Sequence, residues 1–243
     1  MFAVINWQQL APLVIIWFCF LIGILGTYYA NKKLTPEAAK KRWIKLIVYI
    51  FIVHFVYLIL LLGKIVSLIF FSILLLIGLW ELLQNIYWKA YYIILSYILI
   101  STGVILSIFK FDVNILIFIY FVIVLFDGFS QISGQLIGKT PLSKTISPNK
   151  TIEGAIGGFV FTLFFALYLN GFNWQYVLIT ILLCLAGLMG DLLASKVKRI
   201  NKVKDYSQLL PQHGGILDRF DGLFFSLALF YYSYEITYLT TTF

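Results

Sequence analysis

The chain is a succession of long apolar runs broken by short polar stretches. Eight runs stand out, at about Leu10–Ala30, Ile44–Leu62, Ile65–Trp80, Ala90–Phe109, Val113–Phe126, Gly154–Phe172, Gln175–Leu193 and Gly222–Leu239. None shows the apolar–polar alternation of a transmembrane barrel strand. Most approach the ~20 residues that a helix needs to cross a bilayer. The pattern predicts an all-α, polytopic transmembrane protein of about eight spans. The third and fifth runs are short for a hydrocarbon layer of ~30 Å. The fifth is expected to continue past Phe126 as a helix that carries polar residues.

Composition agrees with this reading. Of 243 residues, 62% are hydrophobic and 12% charged, and the mean hydropathy is +0.97. A soluble domain carries roughly 25% charged residues, so a water-soluble globule is excluded, as is disorder, which needs low hydrophobicity. Eight spans use about 160 residues, leaving no room for a separate soluble domain. Residues 1–31 carry no Lys or Arg, so the first run is expected to be a retained span and not a cleaved leader. Cys19 and Cys184 lie inside apolar runs and read as small apolar residues, not as a disulfide or a metal site. His54 stands alone in its span and reads as a neutral side chain bonded to backbone or hydroxyl. Glu81 and Lys89 flank a short loop and read as solvated interface residues.

Charge sets the orientation. Net charge is +8, and the loops of an eight-span chain alternate between two sides. Segments 31–45, 81–89, 127–153 and 194–221 fall on one side and hold sixteen of the eighteen Lys and Arg; Lys64 and Lys110 fall on the other. This positive-inside asymmetry places the long loops in the cytoplasm and both termini outside. Residues 1–126 then read as an N-terminal bundle. Residues 127–243 form a more polar half with cytoplasmic loops 127–153 and 194–221.

Between residues 127 and 221 lie six of the ten acidic residues: Asp127, Glu153, Asp191, Asp205, Asp218 and Asp221. Asp127 and Asp191 end apolar runs, where a charge is costly and faces a cavity or a partner. The stretch Asp127–Gly158 mixes six glycines, Gly134, Gly138, Gly154, Gly157 and Gly158 among them, with Lys139, Lys144 and Lys150. It suits an anion-binding loop and a plain solvated loop equally well. Thr151 and Glu153 are placed to open the sixth span. The stretch Ser195–Asp221 is more specific. Lys198, Arg199, Lys202 and Lys204 form a cationic cluster beside Asp205, and His213-Gly214-Gly215 leads into Asp218-Arg219-Phe220-Asp221. Asp218 and Asp221, at i and i+3, share one face of a helix. With Asp191 they offer hard oxygen ligands for a divalent cation such as Mg²⁺ bridged to phosphates. Zinc is not favoured, with one His and no Cys nearby. A basic stretch that merely binds anionic lipid headgroups would explain the lysines but not the carboxylates.

The second block resembles the signature of the phosphatidate cytidylyltransferases (CDP-diacylglycerol synthases). It reads Ser195, Lys198-Arg199, Lys204-Asp205, Ser207, Pro211, His213-Gly214-Gly215, Asp218-Arg219 and Asp221. Ser147-Pro148, Lys150-Thr151 and Glu153-Gly154 resemble a second family stretch, and Asp127, Gly134 and Gly138-Lys139 a third. The resemblance covers about residues 125–222. It implies transfer of a cytidylyl group from CTP to phosphatidic acid, with Mg²⁺ as cofactor. Few polar loops and a small, compact chain favour a bacterial inner membrane. The partners the resemblance implies are these substrates and the bilayer, with a homodimer and no nucleic acid. By resemblance, Asp191, Asp218 and Asp221 are the metal ligands. Lys198, Arg199, Lys204 and Arg219 hold phosphates, and Asp205, His213, Gly214, Gly215, Ser147, Lys150 and Thr151 line the substrate site.

Some positions differ. Ala194 stands where the family has Glu, and Gly128, Ser130, Gln131 and Gln135 replace Thr, Ala, Tyr and Arg. The lost Arg removes a cation near the lipid phosphate. An alternative acceptor is therefore another lipid or isoprenoid phosphate. Two further alternatives are a transporter, which can also use intramembrane carboxylates, and a catalytically inactive lipid-binding relative.

Overall fold

Each apolar run folds as one helix, because a backbone in lipid must satisfy its own N–H and C=O groups. The computed structural model of the chain describes residues 6–32, 34–85, 91–210 and 214–242. The helices are α1 (Trp7–Asn31), α2 (Pro36–Leu61), α3 (Lys64–Asn85), α4 (Tyr91–Lys110), α5 (Val113–Ile137), α6 (Ile152–Asn170), α7 (Trp174–Ile200) and α8 (Leu217–Thr242). Between α5 and α6 lies an antiparallel hairpin of β1 (Pro141–Ser143) and β2 (Ser147–Thr151), with Ser143 opposite Ser147 and Pro141 opposite Thr151. Seven of these helices are long and apolar enough to span a bilayer, so the chain is an integral, multi-pass membrane protein. The eighth, α8, has the length, but Tyr231, Tyr232, Ser233, Tyr234 and Glu235 dilute its apolar stretch.

The helix α5 is the axis of the bundle. From Leu116 to Phe126 it is buried at every position except Phe118. An all-round apolar helix can be satisfied only by neighbours on all sides. Helices α1, α2, α6, α7 and α8 all pack against it. The closest of these contacts, with α6, depends on small residues. A Cβ at Gly154 would lie 2.7 Å from the Ser130 carbonyl oxygen, and one at Gly158 would meet Ser130 Oγ and lie 2.9 Å from the Phe126 carbonyl oxygen. Gly157 is pressed in the same way against Ser133. Membrane helices gain packing from such small-residue seams. Gly154, Gly157 and Gly158 of the first polar block thus serve helix packing.

One end of the bundle is tied by polar contacts between helix ends. Gln9 Nε2 donates to Asn114 Oδ1 at 3.1 Å. Lys64 lies 4.0 Å from Asp112, and Lys110 pairs with Glu235 at 3.1 Å. The loops 138–151 and 201–216 lie at the opposite end.

Several expectations are revised. The third run continues as helix through Asn85, so Glu81 is not a solvated loop residue; it is wholly buried. Lys89 lies outside the described residues. The fifth run continues to Ile137 as foreseen, which shortens loop 127–153 to residues 138–151. Loop 194–221 likewise shrinks to 201–216, because α7 runs to Ile200 and α8 starts at Leu217. Turn signals in these blocks cap helices that began or ended in polar sequence. His54 Nδ1 lies 2.7 Å from the Ile50 carbonyl oxygen, the backbone-satisfied state expected of it. Both cysteines are free thiols.

Candidate functional site

Helix α7 carries its polar residues in its last turns and then stops. Asn201 Nδ2 donates to the Val197 carbonyl at 3.0 Å, and Lys202 takes a positive φ of 56° that ends the helix. Arg199, exposed on the last turn, donates through Nε to the Ile146 carbonyl and through Nη1 to the Val203 carbonyl, each at 3.4 Å. It thereby joins the β1–β2 hairpin to the 201–216 loop.

Asp218 organises that loop. It sits in the first turn of α8, where a carboxylate also suits the helix dipole. Its Oδ1 accepts from Lys198 Nζ at 2.6 Å. Its Oδ2 accepts from Tyr206 N–H at 2.8 Å and Gly215 N–H at 2.9 Å. The pair is buried, with side-chain exposures of 2% for Asp218 and 12% for Lys198. The Lys198 ammonium also lies 5.5 Å from the centre of the Tyr206 ring. Burial pushes the Tyr206 phenol well above its ordinary range, and the Asp221, Asp218 and Glu81 carboxylates add to the shift. Gly214 adopts φ +85°, a region that disfavours a side chain, and a Cβ there would lie 2.8 Å from Asp218 Oδ2.

Its place in the sequence does not mark Glu81 as part of the site. From α3 it reaches the same loop. Oε1 accepts from Ser207 Oγ at 2.6 Å and Ile216 N–H at 2.9 Å; Oε2 accepts from Leu217 N–H at 2.8 Å. Asn85, one turn further on, donates to the Tyr206 carbonyl at 2.8 Å. The signal available was a lone carboxylate inside an apolar helical run, which by default marks function.

The hairpin contributes Lys150, which pairs directly with Asp191 of α7. Partial burial pulls the Lys150 ammonium below its ordinary range; Asp127 and Asp221 pull it back up, while Lys198 and Arg219 push it further down. These charges therefore share one locality. The structure thus gathers Lys150, Asp191, Lys198, Asp218, Arg219, Asp221 and Asp127 at one end of the bundle. Gly214 and Gly215 border it, and Lys204 and Asp205 are exposed on the same loop. Ser147 is half-buried at the start of β2. Thr151 is differently engaged: its hydroxyl accepts from Gly154 N–H at 3.1 Å as the N-cap of α6. Glu153 receives the Lys139 and Thr140 N–H groups, holding the end of α5 to the start of α6. His213 lies outside the described residues.

Among the described residues, no group of three His, Cys, Asp or Glu side chains is close enough to hold a metal ion. The donor chemistry separates the three candidate ligands. Both oxygens of Asp218 are taken by an ammonium and two backbone amides. Among the described residues, Asp221 accepts the adjacent Gly222 N–H through Oδ1 at 2.8 Å. Asp191 is paired with Lys150 and its side chain is partly exposed. Asp191 and Asp221 thus keep more carboxylate oxygen open to a divalent cation than Asp218 does.

Fold and site together define a multi-pass membrane protein with a dense set of lysines, arginines and carboxylates at one end of its bundle. Residues 2–237 match the cytidylyltransferase family, and the chain belongs to it. Over 120 residues it is 45% identical to the phosphatidate cytidylyltransferase of Staphylococcus haemolyticus and 42% identical to that of Staphylococcus aureus. The matched stretch covers 47% of this chain and 46% of each relative, so the chain spans about half the length of these curated relatives.

Proposed function

We propose that the chain transfers a cytidylyl group from CTP to phosphatidic acid, forming CDP-diacylglycerol and pyrophosphate. The observation that carries this is the convergence of two polar loops at one end of the bundle. Lys150–Asp191 anchors one loop and Lys198–Asp218 the other, in a chain of the cytidylyltransferase family.

An oxygen of the lipid phosphate attacks the α-phosphorus of CTP. The bond from that phosphorus to the bridging oxygen breaks, and pyrophosphate leaves with the electron pair. The attacking phosphate is already anionic near neutral pH, so no general base is required. The barrier is the approach of two anions, and fixed positive charge lowers it. Lys150, Lys198, Arg199, Lys204 and Arg219 supply that charge. Lys198 is set in place by Asp218, and Arg199 is braced between hairpin and loop. Gly215, whose N–H is spent on Asp218, shapes the loop. When bound, Mg²⁺ would offset the negative charge of the phosphates, and Asp191 and Asp221 are the residues that would hold it.

The site must meet a soluble nucleotide and a bilayer lipid, and a loop cluster at the ends of spans meets both. Sixteen of the eighteen Lys and Arg fall on its side of the chain, which favours a cytoplasmic site with both termini outside. Staphylococcal relatives favour a bacterial cytoplasmic membrane.

The test uses purified protein in lipid–detergent micelles with Mg²⁺, radiolabelled CTP and a panel of lipid phosphates. Lipid-extractable CDP product with phosphatidic acid is expected, together with pyrophosphate release. Product only with another lipid phosphate would keep the chemistry and change the acceptor. No product with any acceptor, from folded protein, would overturn the enzyme reading.

A further inference from the structure

Helices in this chain are capped locally where a cap is seen. Asn6, Thr35, Thr151 and Asn173 each accept a hydrogen bond at the start of their own helix. Helix α8 is different. Ile216 precedes it and has no capping side chain. Its first backbone donors are instead met by Glu81, which arrives from α3 some 135 residues earlier in the chain. The carboxylate is fully buried and acts as acceptor for three donors. Burying a charge at the end of a membrane span is costly. A cap alone does not require it, since a neutral Ser, Thr or Asn serves.

The contacts show what the charge organises. Glu81 holds both ends of the segment from Ser207 to Leu217, and Asn85 holds Tyr206. Asp218 holds the other side of that segment through Tyr206 and Gly215 and fixes Lys198. The loop is therefore clamped between two carboxylates. Gly215 is caught between them: a Cβ there would lie 2.5 Å from Glu81 Oε1. We propose that Glu81 is a positioning residue for the nucleotide site, fixing Ser207, Ile216 and Leu217 so that Asp218 and Lys198 stand ready for the CTP phosphates. The role rests on the cytidylyl-transfer reading; it assigns to α3 a part in a site otherwise built from the C-terminal half.

The test is Glu81→Gln, which keeps the shape but turns one acceptor into a donor that faces N–H or O–H groups. Ser207→Ala removes a single contact and is the milder companion. Two readouts are taken in micelles, below the melting temperature. One is hydrogen exchange at Ile216 and Leu217, with and without CTP. The other is steady-state kinetics with CTP and phosphatidic acid. In Glu81→Gln, both amides are expected to exchange at least about tenfold faster. The value of kcat/KM for CTP is expected to fall on the order of 10²-fold, the penalty of a site misplaced by about 1 Å. Ser207→Ala should lose about tenfold.

Faster exchange with unchanged CTP kinetics would reduce Glu81 to a helix cap and overturn the proposal. Unchanged exchange and kinetics would overturn it too. Should Glu81→Gln fail to fold, Ser207→Ala decides alone, and wild-type behaviour in both readouts counts against the role. A wild-type protein that makes no CDP-lipid would instead sink the transfer reading. Exchange still judges Glu81 in that case, because CTP-dependent protection of the Ile216 and Leu217 amides should be present in wild type and lost in Glu81→Gln. Protection equal in the two proteins would refute the positioning role.

Discussion

Replacing Asp218 with Asn separates two roles that one carboxylate could play: metal ligand, as the sequence suggests, or organiser of the loop, as its contacts show. The change keeps size and removes charge. Asn offers one acceptor oxygen and one NH₂ group. If the oxygen serves Tyr206 and Gly215, the NH₂ faces the Lys198 ammonium; if it is turned round, the NH₂ faces two backbone N–H groups. Either way donors confront donors in a buried place. Removing one partner of a buried ion pair costs about 3–5 kcal/mol. The side chains here are 2% and 12% exposed, so solvent screening relieves little of that. At about 1.4 kcal/mol per tenfold, the lower figure makes loop opening about 10²-fold more frequent. The assay is hydrogen exchange at Tyr206 and Gly215, run beside CDP-lipid formation over a range of Mg²⁺. Both amides should exchange about 100-fold faster, and turnover should be lost at every Mg²⁺ concentration. Adding Lys198→Met should recover part of the protection, because no buried charge is left uncompensated, without recovering turnover. Wild-type protection in Asp218→Asn, with turnover restored by excess Mg²⁺, would refute the reasoning and make Asp218 a metal ligand.

Three further outcomes follow from the same contacts. Chelation of divalent cations should abolish transfer, and Asp191→Asn or Asp221→Asn should raise the Mg²⁺ concentration needed for half-maximal rate; a Mg²⁺ titration of each variant checks this. Lys150 titrates below its ordinary 10.5 because burial disfavours its charge. Through this group, stability rises as pH climbs towards 10.5, because the native state prefers the neutral amine more than the unfolded chain does. Phosphate binding runs the other way, so kcat/KM for CTP should decline at lower pH than an ordinary lysine would dictate. Lys150→Arg, whose charge does not titrate there, should move that alkaline limb upward in the pH profile. Gly158→Leu should force α6 away from Phe126 and Ser130 at a cost of about 1–3 kcal/mol, read as a lower melting midpoint in micelles. Gly23→Leu, with no atom within 4 Å of its Cβ position, should leave the midpoint unchanged.

The helices were legible because lipid imposes one rule on every span. Runs such as Val113–Phe126 could only be helical, and the polar residues after Phe126 could be foreseen as a continuation. Local chemistry was legible as well: Thr151 opens α6, and Asp218 in the first turn of α8 and Asp221 three residues on lie near its start. The partners of each charge were not. Asp218 spends its oxygens on Lys198 and on two backbone amides of the preceding loop, and nothing in the spacing of Asp218 and Asp221 announces that. The glycines at 154, 157 and 158 could serve an anion or a neighbouring helix equally well. Only the placement of Ser130 and Ser133 on α5 decides between them. Glu81 was misread for a related reason. A carboxylate four residues from the end of a span reads as an interface residue unless a loop from the far end of the chain folds over it.

That last contact bears on how the molecule divides. In sequence, residues 1–126 look like a scaffold and residues 127–243 like the working half, since nearly all signature residues fall in the second. Yet the loop that carries Gly214 and Gly215 has its outer side held by Glu81 and Asn85 of α3 and its inner side by Asp218 of α8. Two carboxylates from opposite halves accept its backbone N–H groups, and neither half alone satisfies them. An unmet buried N–H costs about 1–3 kcal/mol, so the loop has reason to hold this shape only when α3 stands beside α8. Helix α8 is also the least apolar of the eight, and it gains from having its amino-terminal donors met within the protein and not by lipid. The site is therefore a property of the assembled bundle, with the first half supplying an anchor that its apolar sequence conceals.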